Sequence, residues 1–160
     1  MAEKPKHIKT NAIRLLETKQ VPHILLYYDP SDGNIDACSV AEKLQKPPED
    51  LFKTLVCRAD KDVVVFCLPG PKELDLKKAA HITGVKKIQL VEVKELLPLT
   101  GYLRGGCSPI GMKKRYRTFI DKSCERKPYI IISGGALGIQ IQLSPQDLIN
   151  LIDAEIADLV

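Results

Sequence analysis

Apolar positions along the chain fall into short blocks whose spacing alternates between helical and strand-like. Ala12, Leu15 and Leu16 repeat at helical spacing behind Thr10 and Asn11, either of which can cap a helix that ends before Pro22. His23 to Asp29 is short, apolar and aromatic, a strand, and the run Asp29-Pro30-Ser31-Asp32-Gly33-Asn34 is dense in turn formers. Asp36 then caps a helix carrying Cys38, Ala41 and Leu44, stopped by Pro47-Pro48. Lys53 to Ala59 and Val63 to Leu68 are β-rich runs around Asp60-Lys61-Asp62, a hairpin by composition. The second run is apolar throughout, which predicts a central strand covered on both faces.

Beyond the hairpin, Asp75 caps a helix with Leu76, Ala79, Ala80 and His81, and Gly84 supplies its stop. Lys87 to Val91 reads as a strand and Glu92 to Leu97 as a short helix before Pro98. From Thr100 to Gly111 the chain is glycine-rich with no apolar period. Strands follow at Arg117 to Asp121, Tyr129 to Ser133 and Ile139 to Leu143, the last two separated by the glycine-rich turn 134–138. Ser144-Pro145-Gln146-Asp147 opens a final helix through Leu148, Ile149 and Ile152. Neither linker nor repeat appears, so residues 1–160 form one domain, residues 1–10 being an N-terminal extension. The order of elements predicts an α/β fold of the α+β type: a single mixed, mostly antiparallel sheet or half-open barrel surrounded by helices.

Composition narrows the class. Of 160 residues, 44% are hydrophobic and 28% charged, which excludes disordered and collagen-like chains. The longest apolar run, Val63 to Leu68, is far shorter than a membrane span needs. A polar start lacking the apolar stretch of a secretory signal adds the expectation of a cytoplasmic protein. Five cysteines without a C-x-x-C pair and three scattered histidines give no metal pattern and fit a reducing compartment, so neither metal nor cofactor is expected. The net charge is only +4, but Arg104 to Lys127 holds eight bases and two acids, while the other 136 residues sum to −2. Such a concentration suits a polyanion such as nucleic acid, or else marks a solvated face.

Candidate chemistry is sparse. Lys53, at the start of an apolar strand, either projects its amine into a cleft or packs its stem with the head in water. The stretch Gly106 to Lys113 resembles a phosphate-binding P-loop but fails it. One residue too many separates the second glycine from the lysine, no Ser or Thr follows, and no apolar strand leads in. Glycine-rich turns offer backbone N–H groups that bind an oxyanion or carbonyl, or simply satisfy positive φ. Cys107 beside Arg104 is an activated thiol in principle and more often an incidental one. No Ser/His/Asp or Cys/His set and no paired carboxylates stand out.

Five short motifs in register carry a resemblance. Phe52-Lys53-Thr54-Leu55, Leu76-Lys77-Lys78-Ala79-Ala80, Thr100-Gly101-Tyr102 with Gly105-Gly106 and Ser108-Pro109, Ser133-Gly134-Gly135, and Ser144-Pro145-Gln146-Asp147-Leu148 together resemble the YbaK/EbsC family. Its members are free-standing relatives of the prolyl-tRNA synthetase editing domain, the best known being Cys-tRNA(Pro) deacylases. The resemblance runs from about Ile13 to the C-terminus and implies that editing-domain fold. It implies a pocket around Lys53 and Thr54, with backbone groups of Gly105 and Gly106 facing the aminoacyl end. Tyr28, Ile35 and Ser133, with Gly134 and Gly135, become substrate-binding candidates. Arg104, Lys113, Lys114, Arg115 and Arg117 become tRNA-binding candidates. The implied partners are aminoacyl-tRNA, tRNA(Pro) above all, and prolyl-tRNA synthetase.

The family mechanism needs no protein nucleophile, because the thiol of a cysteinyl ester attacks its own carbonyl. Two alternatives remain open at this point: an Ala-tRNA(Pro) deacylase, which must use water, and a non-catalytic module that binds aminoacyl-tRNA or a small ligand.

Overall fold

The computed structural model describes residues 8–160; residues 1–7 of the expected N-terminal extension lie outside the described residues. Thr10, at its end, is the N-cap of helix α1 (Asn11–Thr18). Its hydroxyl accepts from Ile13 N–H at 3.2 Å and donates to the distant Gly134 carbonyl. Strand β1 (Ile24–Tyr27) follows, then helix α2 (Ala37–Leu44), capped by Asp36, whose carboxylate accepts from Ser39 N–H.

The hairpin forms as its composition predicts. Strands β2 (Phe52–Ala59) and β3 (Asp62–Pro69) pair antiparallel from Phe52↔Pro69 to Ala59↔Asp62, and Asp60 takes the left-handed φ of 57° that closes so tight a turn. Helix α3 (Leu76–Thr83), strand β4 (Ile88–Leu90) and helix α4 (Val93–Thr100) lead into the glycine-rich loop. Strands β5 (Arg117–Asp121), β6 (Ile130–Ser133) and β7 (Ile139–Leu143), helix α5 (Pro145–Ile152) and strand β8 (Glu155–Ala157) complete the chain.

Two sheets result where the sequence predicts one. The first has the order β1-β7-β6 and is antiparallel throughout; the second runs β4-β2-β3-β5-β8, with β5 parallel to both β3 and β8. A single bridge between Leu51 and Ile131 joins them. β3 lies centrally, as its unbroken apolar run requires. Val65 and Cys67 face the main core with α1 and α5. Val64, Phe66 and Leu68 face a second core under α3, where Phe66 stacks on Phe119 at 5.7 Å. Each such fully buried side chain stabilises the fold by about 1.5–3 kcal/mol. A third cluster packs Val40, Ala41 and Leu44 of α2 onto Leu26, Leu51 and Ile131.

Three local expectations change. Helix α4 continues through Pro98 to Thr100. The ring costs only the bond to Lys94 O, which lies on an exposed face, and the last turn is held by Thr100 Oγ1 to Leu96 O and Gly101 N–H to Leu97 O. Cys38 is exposed on α2, and Val40 takes its place on the buried face. β8, which the sequence does not announce, is held by backbone pairing to β5 at 119–121 and by Asp121, whose buried carboxylate accepts from Leu159 N–H at 3.0 Å.

Candidate active site

A cavity of about 370 Å³ opens where the two sheets meet, between the start of β2, the N-terminus of α2, the loop at 104–107 and the facing ends of β6 and β7. Among the predicted residues, Lys53, Thr54, Ile35, Arg104, Gly105 and Ser133 line it together, from four separate stretches of sequence. Lys53 is half-buried and has no hydrogen-bond or ion-pair partner among the described residues. Phe52 beside it is buried and anchors the strand in the main core, so the lysine's position rests on the sheet. Thr54 Oγ1 stands 4.0 Å from Cys67 Sγ and leaves its hydroxyl free for stronger partners.

The two expected backbone donors of the loop differ. Gly106 N–H donates to Leu103 O at 3.0 Å, closing a turn, and Gly106 does not line the cavity. Gly105, at φ +84°, lines it, and its N–H has no acceptor among the described residues. The turn occupies the second amide and leaves the first without an acceptor among the described residues.

Gly134 and Gly135 also lie outside the cavity lining. Gly134 N–H bonds Ile139 O at 2.9 Å and Gly135 N–H bonds Ser133 Oγ at 3.2 Å, so these glycines shape the turn that carries Ser133. A Cβ on Gly135 would come within 2.9 Å of Thr10 and Tyr102. Tyr28 is 2% exposed, in the cluster under α2 rather than on the cavity wall. Lys43 Nζ sits 5.7 Å from its ring centroid, and its buried hydroxyl has no partner.

Sequence reasoning missed Gln140, which is 5% exposed, lines the cavity as the Cα partner of Ser133, and has no side-chain hydrogen bond among the described residues. The signal was present in Ile139-Gln140-Ile141-Gln142-Leu143, a strict alternation that sends the isoleucines to the core and the glutamines to the other face. Asp36 and Cys38 line the wall from the first turn of α2. Hydrogen bonds from the Ser39 hydroxyl and N–H hold the Asp36 carboxyl below the usual range, so it stays ionised.

Cys107 also faces the cavity, but burial pushes its thiol up to about 11. It is therefore protonated at neutral pH and a poor nucleophile, which rules against the activated thiol. Among the described residues no group of three or more His, Cys, Asp or Glu could hold a metal, and no helix is long and apolar enough to cross a membrane.

Half of the basic segment is neutralised in space. Arg117 grips Glu155 through two bonds of 2.7 and 3.2 Å and lies 4.7 Å from the Phe119 ring. Arg115 bonds Leu151 O and pairs with Asp153 at 3.4 Å. Lys122 pairs with Asp158, and Lys127 with Asp50. Arg104, Lys113, Lys114 and Arg126 have no carboxylate partner among the described residues. Arg104 borders the site cavity, whereas Lys114 and Arg115 edge a separate cleft of about 330 Å³ with Lys19 and Tyr116.

Residues 35–151 match the aminoacyl-tRNA editing domain. The protein EbsC of Enterococcus faecalis, named as a Cys-tRNA(Pro)/Cys-tRNA(Cys) deacylase, is 41% identical over 160 residues, covering 99% of this chain and 98% of its own. A proline–tRNA ligase of Lactobacillus gasseri is 25% identical over 130 residues, which are 81% of this chain and 22% of the ligase. A crystal structure described as a trans-editing enzyme for prolyl tRNA synthetase superposes with a TM-score of 0.81 at 25% identity, covering 95% of this chain and 98% of that one. With a domain match over most of its length and a full-length relative at 41% identity, this chain belongs to the aminoacyl-tRNA editing domain family.

Proposed function

We propose that the chain is an aminoacyl-tRNA deacylase acting in trans, removing Cys from Cys-tRNA(Pro), with Cys-tRNA(Cys) as a second substrate. One observation carries the reading. The cavity gathers a lysine and a backbone N–H with no partners, beside a hydroxyl, while the Cys107 thiol is held protonated and no histidine stands among the lining residues to activate the second thiol, Cys38. Such a site can stabilise charge and orient an ester, and it pairs no nucleophile with an activating base.

A cysteinyl ester brings its own nucleophile. Its thiol, with an ordinary pKa of about 8.5, is only a unit or two from neutral pH. In the step, the substrate sulfur bonds to the ester carbonyl carbon, the bond from that carbon to the ribose oxygen breaks, and the thiol proton ends on that oxygen. The products are tRNA and a cyclic thiolactone. Intramolecular attack of this kind reaches effective molarities of about 10⁵–10⁸ M when the geometry is right. Gly105 N–H is suited to the developing oxyanion, and Lys53, assisted by Thr54, to the charge on the leaving oxygen. Ser133 and Gln140 supply polar contacts for the amino acid, and Ile35 the apolar wall. Arg104, Lys113 and Lys114 carry the electrostatic attraction to tRNA, since Arg115 and Arg117 already hold acids. A protein acting on charged tRNA works in the cytoplasm beside prolyl-tRNA synthetase, which supplies the substrate.

The test is deacylation of Cys-tRNA(Pro) by wild type and Lys53→Ala, with the product identified as thiolactone or free cysteine. Equal rates for the two proteins, or none above the spontaneous background, sink the proposal. Release confined to Ala-tRNA(Pro) would assign the water-dependent reaction instead, and tight tRNA binding without turnover a non-catalytic module.

A further inference from the structure

Beside Gly105, the aliphatic wall that Ile35 gives the cavity continues outwards onto a residue that does not line it. Leu137, at the tip of the β6–β7 turn, is 45% exposed. A Cβ on Gly105 would lie 2.6 Å from Ile35 Cδ1 and 2.7 Å from Leu137 Cδ2. The two methyl groups are therefore no farther apart than the sum of those distances, and they form a small aliphatic shelf over Gly105. Ile35 comes from the turn before α2 and Leu137 from the other sheet, so the fold assembles the shelf from remote segments. Arg104 stands next to it in the chain, exposed and without a carboxylate among the described residues.

We propose that this shelf carries the base of the 3′-terminal nucleotide of the tRNA, with Arg104 on the phosphate that precedes it. The inference rests on the deacylase reading, which puts the ester carbonyl at Gly105 N–H. The ribose bearing that ester also bears a flat base on one side and a phosphodiester on the other. Both must leave through the mouth, where the surface nearest Gly105 is the shelf. Burying two partly exposed aliphatic side chains under a base face is favourable whatever the base. The terminal nucleotide is the same in every tRNA, so the shelf adds affinity without selecting among tRNAs. Selection of the amino acid remains with the polar residues inside.

A binding cycle tests this without relying on turnover. Titrate uncharged tRNA(Pro), complete or lacking its terminal adenosine, against wild type and Leu137→Ser at low salt. Removing the adenosine should weaken wild-type binding about tenfold. Leu137→Ser should weaken the complete tRNA about tenfold and the shortened tRNA by less than about twofold, because the residue and the nucleotide act as one contact. Leu137→Met, which keeps the apolar surface, should bind like wild type. Equal losses for both tRNAs, or indifference of wild type to the adenosine, overturn the shelf. Coupling in a protein that never deacylates Cys-tRNA(Pro) would keep the shelf and reject the deacylase. Deacylation without coupling would do the reverse.

Discussion

Gly106 packs so closely against the β6–β7 turn that adding one methyl group should disturb both stability and activity. A Cβ there would lie 2.9, 3.1 and 3.2 Å from Cα, C and N of Ala136, all of them backbone atoms. Ordinary contacts begin near 3.4 Å, so the loop and the turn must separate by roughly 0.5 Å, and no side-chain rotation can absorb it. Gly106 is not among the residues with positive φ, so the cost of Gly106→Ala is steric. Overpacking of this kind costs about 1–3 kcal/mol. For a chain of this size that lowers the melting temperature by about 4–8 °C at a cost near 2 kcal/mol. The same displacement moves the neighbouring Gly105 N–H away from the cavity, stretching a short hydrogen bond towards its useful limit. Deacylation should fall at least about tenfold, beyond what unfolding explains. Calorimetry and single-turnover deacylation of Cys-tRNA(Pro) read the two effects. Because the clash is with backbone, Ala136→Gly should not rescue it. An unchanged melting temperature, or full rescue by Ala136→Gly, would refute the reasoning.

Lys53→Ala should cut deacylation by about 100-fold or more while leaving the melting temperature within a few degrees, since Lys53 has no partner to lose; a large drop in melting temperature would contradict the free amine. Cys107→Ala should keep most of the activity, and iodoacetamide at neutral pH should label the exposed Cys38 well before Cys107; preferential labelling of Cys107 would contradict its burial. Alkaline pH should destabilise the fold, because burial raises Cys107 and Cys124 to about 11 and Cys57 and Cys67 to about 12, from 9.0. The unfolded chain loses these protons first, so their stabilising effect is complete below about pH 9. It fades as pH rises towards the folded values, at up to about 1.4 kcal/mol per pH unit for each thiol. Urea midpoints that stay flat from about pH 9 to 11 would contradict that. Removing Lys113 and Lys114 together should weaken tRNA binding and lower the slope of log affinity against log salt by about 1.5. Arg117→Ala should change that slope little, because Glu155 already holds Arg117; equal effects would contradict the pairing.

Much of this architecture was legible where one physical signal dominated. The β2–β3 hairpin declares itself by two β-rich runs around a turn, and the caps Thr10, Asp36, Asp75 and Ser144 sit where their side chains demand. β8 was silent because a three-residue strand with Glu155 and Ile156 exposed has no periodicity to read; pairing to β5 creates it. The single predicted sheet became two because nothing local marks where hydrogen bonding stops along β6 and β2. At the site, Lys53, Thr54, Gly105 and Ser133 followed from motifs, whereas Gln140 needed strand alternation to be pursued to the face away from the core. The depth of Tyr28 was not legible, because a residue's neighbours along the chain do not say how deep its ring sits. The pairing within the basic segment was hidden for a related reason: the acids that meet it, Asp50, Asp153, Glu155 and Asp158, all lie outside it in sequence.

The bridge between Leu51 and Ile131 makes the cavity a caliper. One jaw, with Lys53 and Thr54, belongs to the five-stranded sheet; the other, with Ser133 and Gln140, belongs to the three-stranded sheet. Each jaw is stiffened by its own ladder, so the gap between them is set at the joint, two residues from Lys53 on one side and two from Ser133 on the other. Fit to an amino acid then depends on the angle at that joint as much as on the side chains facing the gap. Substitutions at Leu44 of α2, which packs in one cluster with Leu51 and Ile131 and does not line the cavity, would change which residue is accepted without touching it.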